Sequence, residues 1–396
     1  MARTAACRRG EHETRRMARA SRSGPAPFVP PHCPRRDCPA HRLGPGEPFR
    51  FQRRGSRVNR RRGDRVEVFF CLHGAHWFSS AAFDTEYWLQ RRGLLGQVFR
   101  LLCEGQSQRQ AARSLGVSPG VVARCERRLA RQALLLLLTQ RRALEGRLTE
   151  DVVLDGLRTF AGSQDEPLDL NTAITVRSRF VLDVVPAPLR RSGAMRPSQR
   201  ARRAARERRL GRPDPQARRR ATRATLCLLL RLLAPGREIA LRTDEEPDYA
   251  RALADLGAPA GLRHETTSSR ARRDTANPLW AVNHLHGLMR HALKSHARET
   301  LGFHKRLAGL LDRALVFTAW HNNTKGLSER RRDLAQTTPA MVLGLADRPL
   351  SGEELFARRR FPAREGLPEA LRPVYEGRVV ARPREPMTRR VPVFAY

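Results

Sequence analysis

The runs DVVLDGLRTFA (151–161), LDLNTAITVR (168–177) and RFVLDVVPA (179–187) decide the fold. Each is a short segment of β-branched and aliphatic residues read at period two, and turn residues separate them, so together they predict a three-strand antiparallel meander. Downstream the pattern changes. A helix at LCLLLRLLAP (226–235), a strand at EIALRT (238–243), a helix at DYARALADLG (248–257) and a strand at GLRHETT (261–267) alternate, which predicts that two further strands join the sheet through helical crossovers. Between the two halves, residues 190–223 are a low-complexity Arg/Ala/Pro insertion. A long helical stretch from Pro278 to Lys325 and an irregular, Pro-rich tail complete the chain.

Upstream of the meander the period is helical from Tyr87 to about Leu144. Within it, EGQSQRQAARSLGVSPGVVARCERRLARQ (104–132) has the form of a helix-turn-helix. Ser107 caps a helix that turns Ala111, Ala112 and Leu115 inward, Gly116 makes the turn, and Ser118-Pro119 start a second helix with Val121 and Val122 inward. Arg124, Arg127 and Arg128 are then the residues available to DNA.

Further upstream lies a loop-rich module containing Cys33 and Cys38, spaced C-x4-C, and CLHGAH (71–76). Cys33, Cys38, Cys71 and either His73 or His76 supply four ligands suited to tetrahedral Zn2+, with His41 as a further alternative. The module is short of apolar mass, so metal binding is expected to supply its folding energy. Cys7, Cys103, Cys125 and Cys227 lack partners at such spacing and read as structural.

Lys plus Arg number 76 against 39 Asp plus Glu, a formal charge of +37 in 396 residues, and that excess calls for a polyanion. All but Lys294, Lys305 and Lys325 are arginine, so no single Arg carries much weight. No apolar stretch is long enough to cross a bilayer, and the basic N-terminus lacks the apolar core of a secretory signal. Seven unevenly spread cysteines speak against a disulfide framework, and a cytoplasmic setting is expected.

The expected class is therefore α+β and multi-domain: a basic arm (1–28), a zinc ribbon (29–86), a helix-turn-helix domain (87–147), a catalytic core (148–330) and an irregular tail (331–396). A meander followed by alternating α and β is the pattern of an RNase H-like core, an α/β/α sandwich on a mixed five-stranded sheet. In such a core the first strand presents a carboxylate and the strand after the following helix ends on another, so that both reach divalent metal at one sheet edge. Asp155 and Asp244 occupy those positions, where Mg2+ or Mn2+ held by carboxylates can activate an attacking oxygen in phosphodiester transfer.

These elements, with Tyr249 after Asp244 and NPLWAVNHLHGLMRH (277–291), resemble bacterial insertion-sequence transposases of the zinc-ribbon, DDE type over about residues 30–362. FSSAAFDTEYW (78–88), ARETLGFHK (297–305), FTAWHNNTKG (317–326) and TTPAMVLGL (337–345) add to the likeness. The resemblance implies a nucleoid-associated enzyme working as a homo-oligomer on duplex DNA, with terminal inverted repeats and target DNA as substrates. It departs from the family in one place: where VNHxE is usual, VNHLH puts His286 at the third acidic position. A neutral imidazole can ligate metal but prefers softer ions than Mg2+. Glu299 is the fallback, disfavoured if one helix runs unbroken from Pro278, and Glu265 lies on or near the fifth strand. Arg290 and Lys294, at i+4 and i+8 from His286, are expected to contact phosphate. Trp280 and Trp320 read as packing residues. The alternative is a catalytically inactive transposase-derived DNA-binding protein or repressor.

Overall fold

The computed structural model describes residues 28–381, apart from 45, 61–62, 298–299 and 301. It divides into two compact units, 28–59 with 64–81 and 60–63 with 82–381. In the smaller, β1 (Phe51–Val58), β2 (Arg65–Cys71) and β3 (His76–Ser79) form an antiparallel sheet in that order. Its core is aromatic. Fully buried Phe69 stacks on Phe78 with ring centres 5.3 Å apart and meets Phe51 edge-on at 5.5 Å and Phe28 at 6.1 Å. The module thus carries more apolar packing of its own than its short sequence suggests.

The larger unit opens with α1 (Leu94–Cys103), α2 (Gln108–Leu115) and α3 (Pro119–Leu144). Ser107 caps α2 in a reciprocal capping box with Gln110, and the Ser118 hydroxyl accepts from the Val121 amide at the start of α3. Ala111, Ala112 and Val122 are buried as the periodicity requires. The five strands β4 (Val152–Phe160), β5 (Pro167–Thr175), β6 (Val181–Pro188), β7 (Ile239–Asp244) and β8 (Leu262–Thr267) pair in the order β6-β5-β4-β7-β8. The first three are mutually antiparallel, while β4–β7 and β7–β8 are parallel.

The Arg-rich insertion is ordered. It forms α4 (Pro197–Leu210) and the first half of α5 (Ala217–Leu232), and it is anchored where Arg191 and Arg202 pair with Asp165 and Arg206 pairs with Glu166 at the β4–β5 hairpin. Helices α5 and α6 (Pro247–Ala254) cover one sheet face, where Leu226, Leu229, Leu232, Ala252 and Leu253 pack on Val152, Leu154 and Leu241. The predicted stretch from Pro278 to Lys325 is two helices, α7 (Trp280–Ala292) and α8 (Leu307–Asn323), which cover the other face. The tail is less irregular than expected: four short helices, Arg332–Ala335, Pro339–Val342, Gly352–Leu355 and Arg372–Glu376, follow α8. Leu355, Phe356 and Tyr375 join the core of α1–α3 and α8. The expected basic arm lies outside the described residues except for Phe28.

Helix-turn-helix and sheet are therefore parts of one compact unit, and the HNN run at the end of α8 helps to explain why. His321 Nε2 donates to the Arg179 carbonyl at 2.9 Å. Asn322 accepts from the Val181 amide at 2.9 Å and donates to the Val181 carbonyl at 3.1 Å, completing the ladder at the start of edge strand β6. Asn323 accepts from Gln140 of α3 at 2.7 Å. Asn322→Leu keeps the number and branching of side-chain heavy atoms but leaves two buried backbone groups without partners, each costing about 1–3 kcal/mol. Urea unfolding of this variant is expected to show a loss of roughly 2–5 kcal/mol; a change within about 0.5 kcal/mol would mean that the amide ladder contributes nothing.

Candidate functional site

In the smaller unit the ligand atoms of Cys33, Cys38, Cys71 and His76 lie within 4.8 Å of one another. Cys38 Sγ and Cys71 Sγ are 3.6 Å apart, close to the roughly 3.8 Å edge of a tetrahedron with 2.3 Å zinc–sulfur bonds. Cys33 Sγ lies 2.9 Å from His76 Nε2. His76 Nδ1 donates to the Gly74 carbonyl at 2.9 Å, which fixes the tautomer and turns the Nε2 lone pair to the sulfurs. Gly74 is required by close approach, since a Cβ there would meet Cys38 Sγ at 2.9 Å and the His76 ring at 2.8 Å. Burial pushes the Cys33 and Cys38 thiols up, so a cation would have to supply the charge that holds them as thiolates. The cluster could hold zinc.

The other two histidines are occupied elsewhere. His73 Nε2 accepts from the Arg50 amide at 3.1 Å, and His41 Nδ1 donates to the Cys33 carbonyl at 2.7 Å. Spacing alone could not separate His73 from His76, because the separation depends on the turn between β2 and β3. Cys103 and Cys125 are buried in the helical core as expected, whereas Cys227 is exposed on α5, contrary to its expected structural role; Cys7 lies outside the described residues.

The second cluster is where the central strands β4 and β7 part. Pairing between β4 and β7 is confined to Val152–Leu241 and Val153–Arg242, and Asp155 and Asp244 each lie two residues beyond the last pair. With a period of two, both project from the face that carries Val153, toward α7. Asp155 accepts from the Gly156 amide at 2.7 Å, and Asp244 accepts from the Glu246 amide at 3.0 Å in the turn into α6. Burial, and then the charge of Asp244, push the Asp155 carboxyl up to about 6 against the pull of the Gly156 amide. The same burial and the same two carboxylates raise the Tyr249 phenol.

His286 is buried on α7, with Nδ1 3.5 Å from Asp155 Oδ2. Burial and Arg290 hold its imidazole down to about 3, so it is neutral near pH 7 and the contact is a long N–H···O approach rather than an ion pair. The same separation suits two neighbouring ligands of one ion, which lie about 3 Å apart at 2.1 Å bond lengths. Asp155, Asp244 and His286 do not gather at three-ligand distance; among the described residues only the Cys/His cluster does. Glu299 lies outside the described residues. Glu265 is engaged by Arg242 and Arg263.

Two residues near the site escaped the sequence reading. Arg218 of α5 donates to Asp169 of β5 from Nε at 3.0 Å and also pairs with Glu246, so it braces the turn beside Asp244. Asp169 could have been noticed as an acid in a buried apolar strand, but Arg218 was hidden among dozens of arginines.

Of the expected DNA contacts, Arg124 is exposed on α3. Arg127 instead pairs with Asp312 and donates to the Val374 carbonyl at 2.7 Å. Arg128 donates to the Thr85 and Tyr87 carbonyls at 2.9 and 2.6 Å. Both guanidiniums therefore serve the fold. Arg290 is half-buried beside His286, and Lys294 is exposed in a separate turn after α7 ends, so these two do not share one helical face. Trp280 stacks on His284 at 5.0 Å and Trp320 packs against Phe317 at 5.4 Å, both in packing roles. No helix among the described residues is long and apolar enough to cross a membrane. No family model matches the chain, and no curated protein matches it.

Two outcomes are expected. Purified protein should carry about one zinc equivalent, and Cys71→Ser should lose it together with the folding of residues 28–81 while the larger unit keeps its melting transition; full retention of zinc by that variant would exclude the cluster. Asp155, with a folded pKa of about 6 against its ordinary 3.8, adds stability that is complete below about pH 3.8 and is lost as pH rises through 6. Without divalent metal, Asp155→Asn should therefore melt above wild type at pH 8 and lose that advantage at about pH 4. Equal melting curves at both pH values would contradict the assigned environment.

Proposed function

We propose that the chain is a DDE-type transposase, a nuclease and strand transferase acting on duplex DNA. The observation that carries the reading is the sheet itself. Its order β6-β5-β4-β7-β8, with three antiparallel strands and two parallel ones, is the RNase H-like order. Asp155 and Asp244 flank the point where β4 and β7 part: Asp244 closes β7 at its carboxyl end, where open α/β sheets bind their ligands, and Asp155 stands on β4 just past its last pair with β7.

In this reading Asp155, Asp244 and His286 would hold Mg2+ or Mn2+ once drawn closer than the separations seen here, and the metal would supply a lowered pKa for the attacking oxygen and charge stabilisation for the leaving one. The protein's own part is positioning. Arg218 braces Asp169 and Glu246, the Gly156 and Glu246 amides orient the two carboxylates, and the helix-turn-helix presents α3, with exposed Arg124, to the DNA of the element ends. Zinc in the smaller unit is a folding element on this reading.

A second reading, an inactive transposase derivative that binds DNA as a repressor, is favoured by one observation. The third acidic position holds a buried neutral histidine directed at Asp155.

Cleavage of duplex carrying the element's inverted repeats, with Mg2+ and separately with Mn2+, tests both readings. The transposase reading expects nicking that falls at least about 100-fold in Asp155→Asn and Asp244→Asn, equivalent to about 2.7 kcal/mol in the barrier. It also expects wild type to prefer Mn2+, the better partner for imidazole, and His286→Glu to shift that preference to Mg2+. Tight binding of the repeats with no cleavage under either ion would establish the repressor reading instead.

A further inference from the structure

A cleft of about 1000 Å³ opens between the N-terminal turn of α2 and, on its other side, Lys294 and Ser295 after α7 with residues 302–306 before α8. Arg109 and Arg113 contribute from the first wall and Lys294 and Lys305 from the second, and all four are exposed. None of the four makes an ion pair within the described structure, and no acidic side chain lines the cleft among the described residues. Its back wall is Arg313, whose charge is already met by Glu126 at 2.6 Å. In a chain whose buried arginines are mostly paired, four cations without acidic partners among the described residues, on facing walls of one concavity, concentrate positive potential there, Lys305 resting over the Phe303 ring at 3.8 Å.

The first wall is fixed. Gly105, at φ +90°, brings the α1–α2 corner against the end of α7, where a Cβ would meet the Ala292 carbonyl at 3.2 Å. Arg313 donates to the Gln106 carbonyl at 3.2 Å and so ties α8 to the same corner. The cleft therefore joins the helix-turn-helix to the helix that carries His286, which lies six residues or about 9 Å upstream of Ala292 at 1.5 Å per residue. Polar groups supplement the charges, since Gln108 and Gln110 also line the first wall.

We infer that this cleft holds the phosphodiester backbone of a DNA strand running between the helix-turn-helix and the carboxylate cluster, with Arg109 and Arg113 on one side and Lys294 and Lys305 on the other. The inference rests on the DNA-binding part of the reading above and not on catalysis. Contacts of this kind carry no base specificity; they set register and appear in the salt dependence of binding.

The test is a salt titration of full-length protein binding a labelled random-sequence duplex. Arg109→Ala/Lys305→Ala removes one cation from each wall, and Arg208→Ala/Arg209→Ala removes the same charge from the exposed side of α4. Each phosphate contact contributes about 0.9 to the slope of log K against log salt, so the cleft pair should lower the slope by roughly 2 and weaken binding at least about 10-fold. The α4 pair should do so far less, and Arg109→Lys/Lys305→Arg should restore wild-type behaviour. Equal losses from the two alanine pairs would overturn the inference and leave only general charge. If inorganic phosphate raised the melting temperature of wild type but not of the cleft pair while duplex binding was unchanged, the ligand would be a small anion and the strand assignment would fall. Wild-type protein that bound no duplex even at low salt would defeat the DNA-binding reading as a whole, a result distinct from loss of the cleft alone.

Discussion

The parting of β4 from β7 is the constraint on which the larger unit depends. β4 is hydrogen-bonded antiparallel to β5 along its length but parallel to β7 through only two residue pairs. A parallel neighbour cannot be reached by a tight turn, so the chain must leave β6, pass over one sheet face as α4 and α5, and return. That crossover places α5 on one face, the next adds α6 there, the other face is left to α7 and α8, and a gap opens where β4 and β7 part, into which Asp155 and Asp244 project. Burial there, and then the nearby charge of Asp244, raise the Asp155 carboxyl.

Charge is handled differently elsewhere in the unit. Arg127 with Asp312, Arg313 with Glu126 and Arg141 with Asp183 are buried pairs that join α3 to α8 and to β6. Such pairs are poor sources of net stability, but removing one partner strands the other charge in the interior. Their effect is to fix which helix meets which, and so the helical front end and the sheet do not separate into the two domains that the change of period at residue 148 suggested.

The sequence made much of this legible for identifiable reasons. The short apolar runs in 151–161 and 168–177 are buried on both sheet faces, and the caps Ser107 and Ser118 form where their spacing requires, so strands and the helix-turn-helix could be read locally. Three features were not local. Whether Arg127 and Arg128 face solvent depended on Asp312 and on carbonyls at residues 85, 87 and 374. The choice of His76 over His73 depended on a turn, and the break between α7 and α8 depended on how Leu293 and His296 bury against neighbouring elements. Asp155 and Asp244 were legible because a strand and a strand end specify position; His286 was legible as a location, while its neutrality follows from burial, which no spacing encodes.

Helix α3 has a consequence of its own. Its 26 residues run from the turn after α2 to Leu144 in the core beneath the sheet, about 38 Å at 1.5 Å per residue, and buried side chains hold it along most of that length. Because no hinge divides it, one end cannot move without the other. On the proposed transposase reading, with its first turns on DNA, α3 would act as a ruler: the offset between the sequence recognised and the bond presented to Asp155 would be set by the length of a rigid rod, comparable to about 11 base pairs at 3.4 Å each. A linker of variable reach would allow a spread of positions, whereas this architecture admits one.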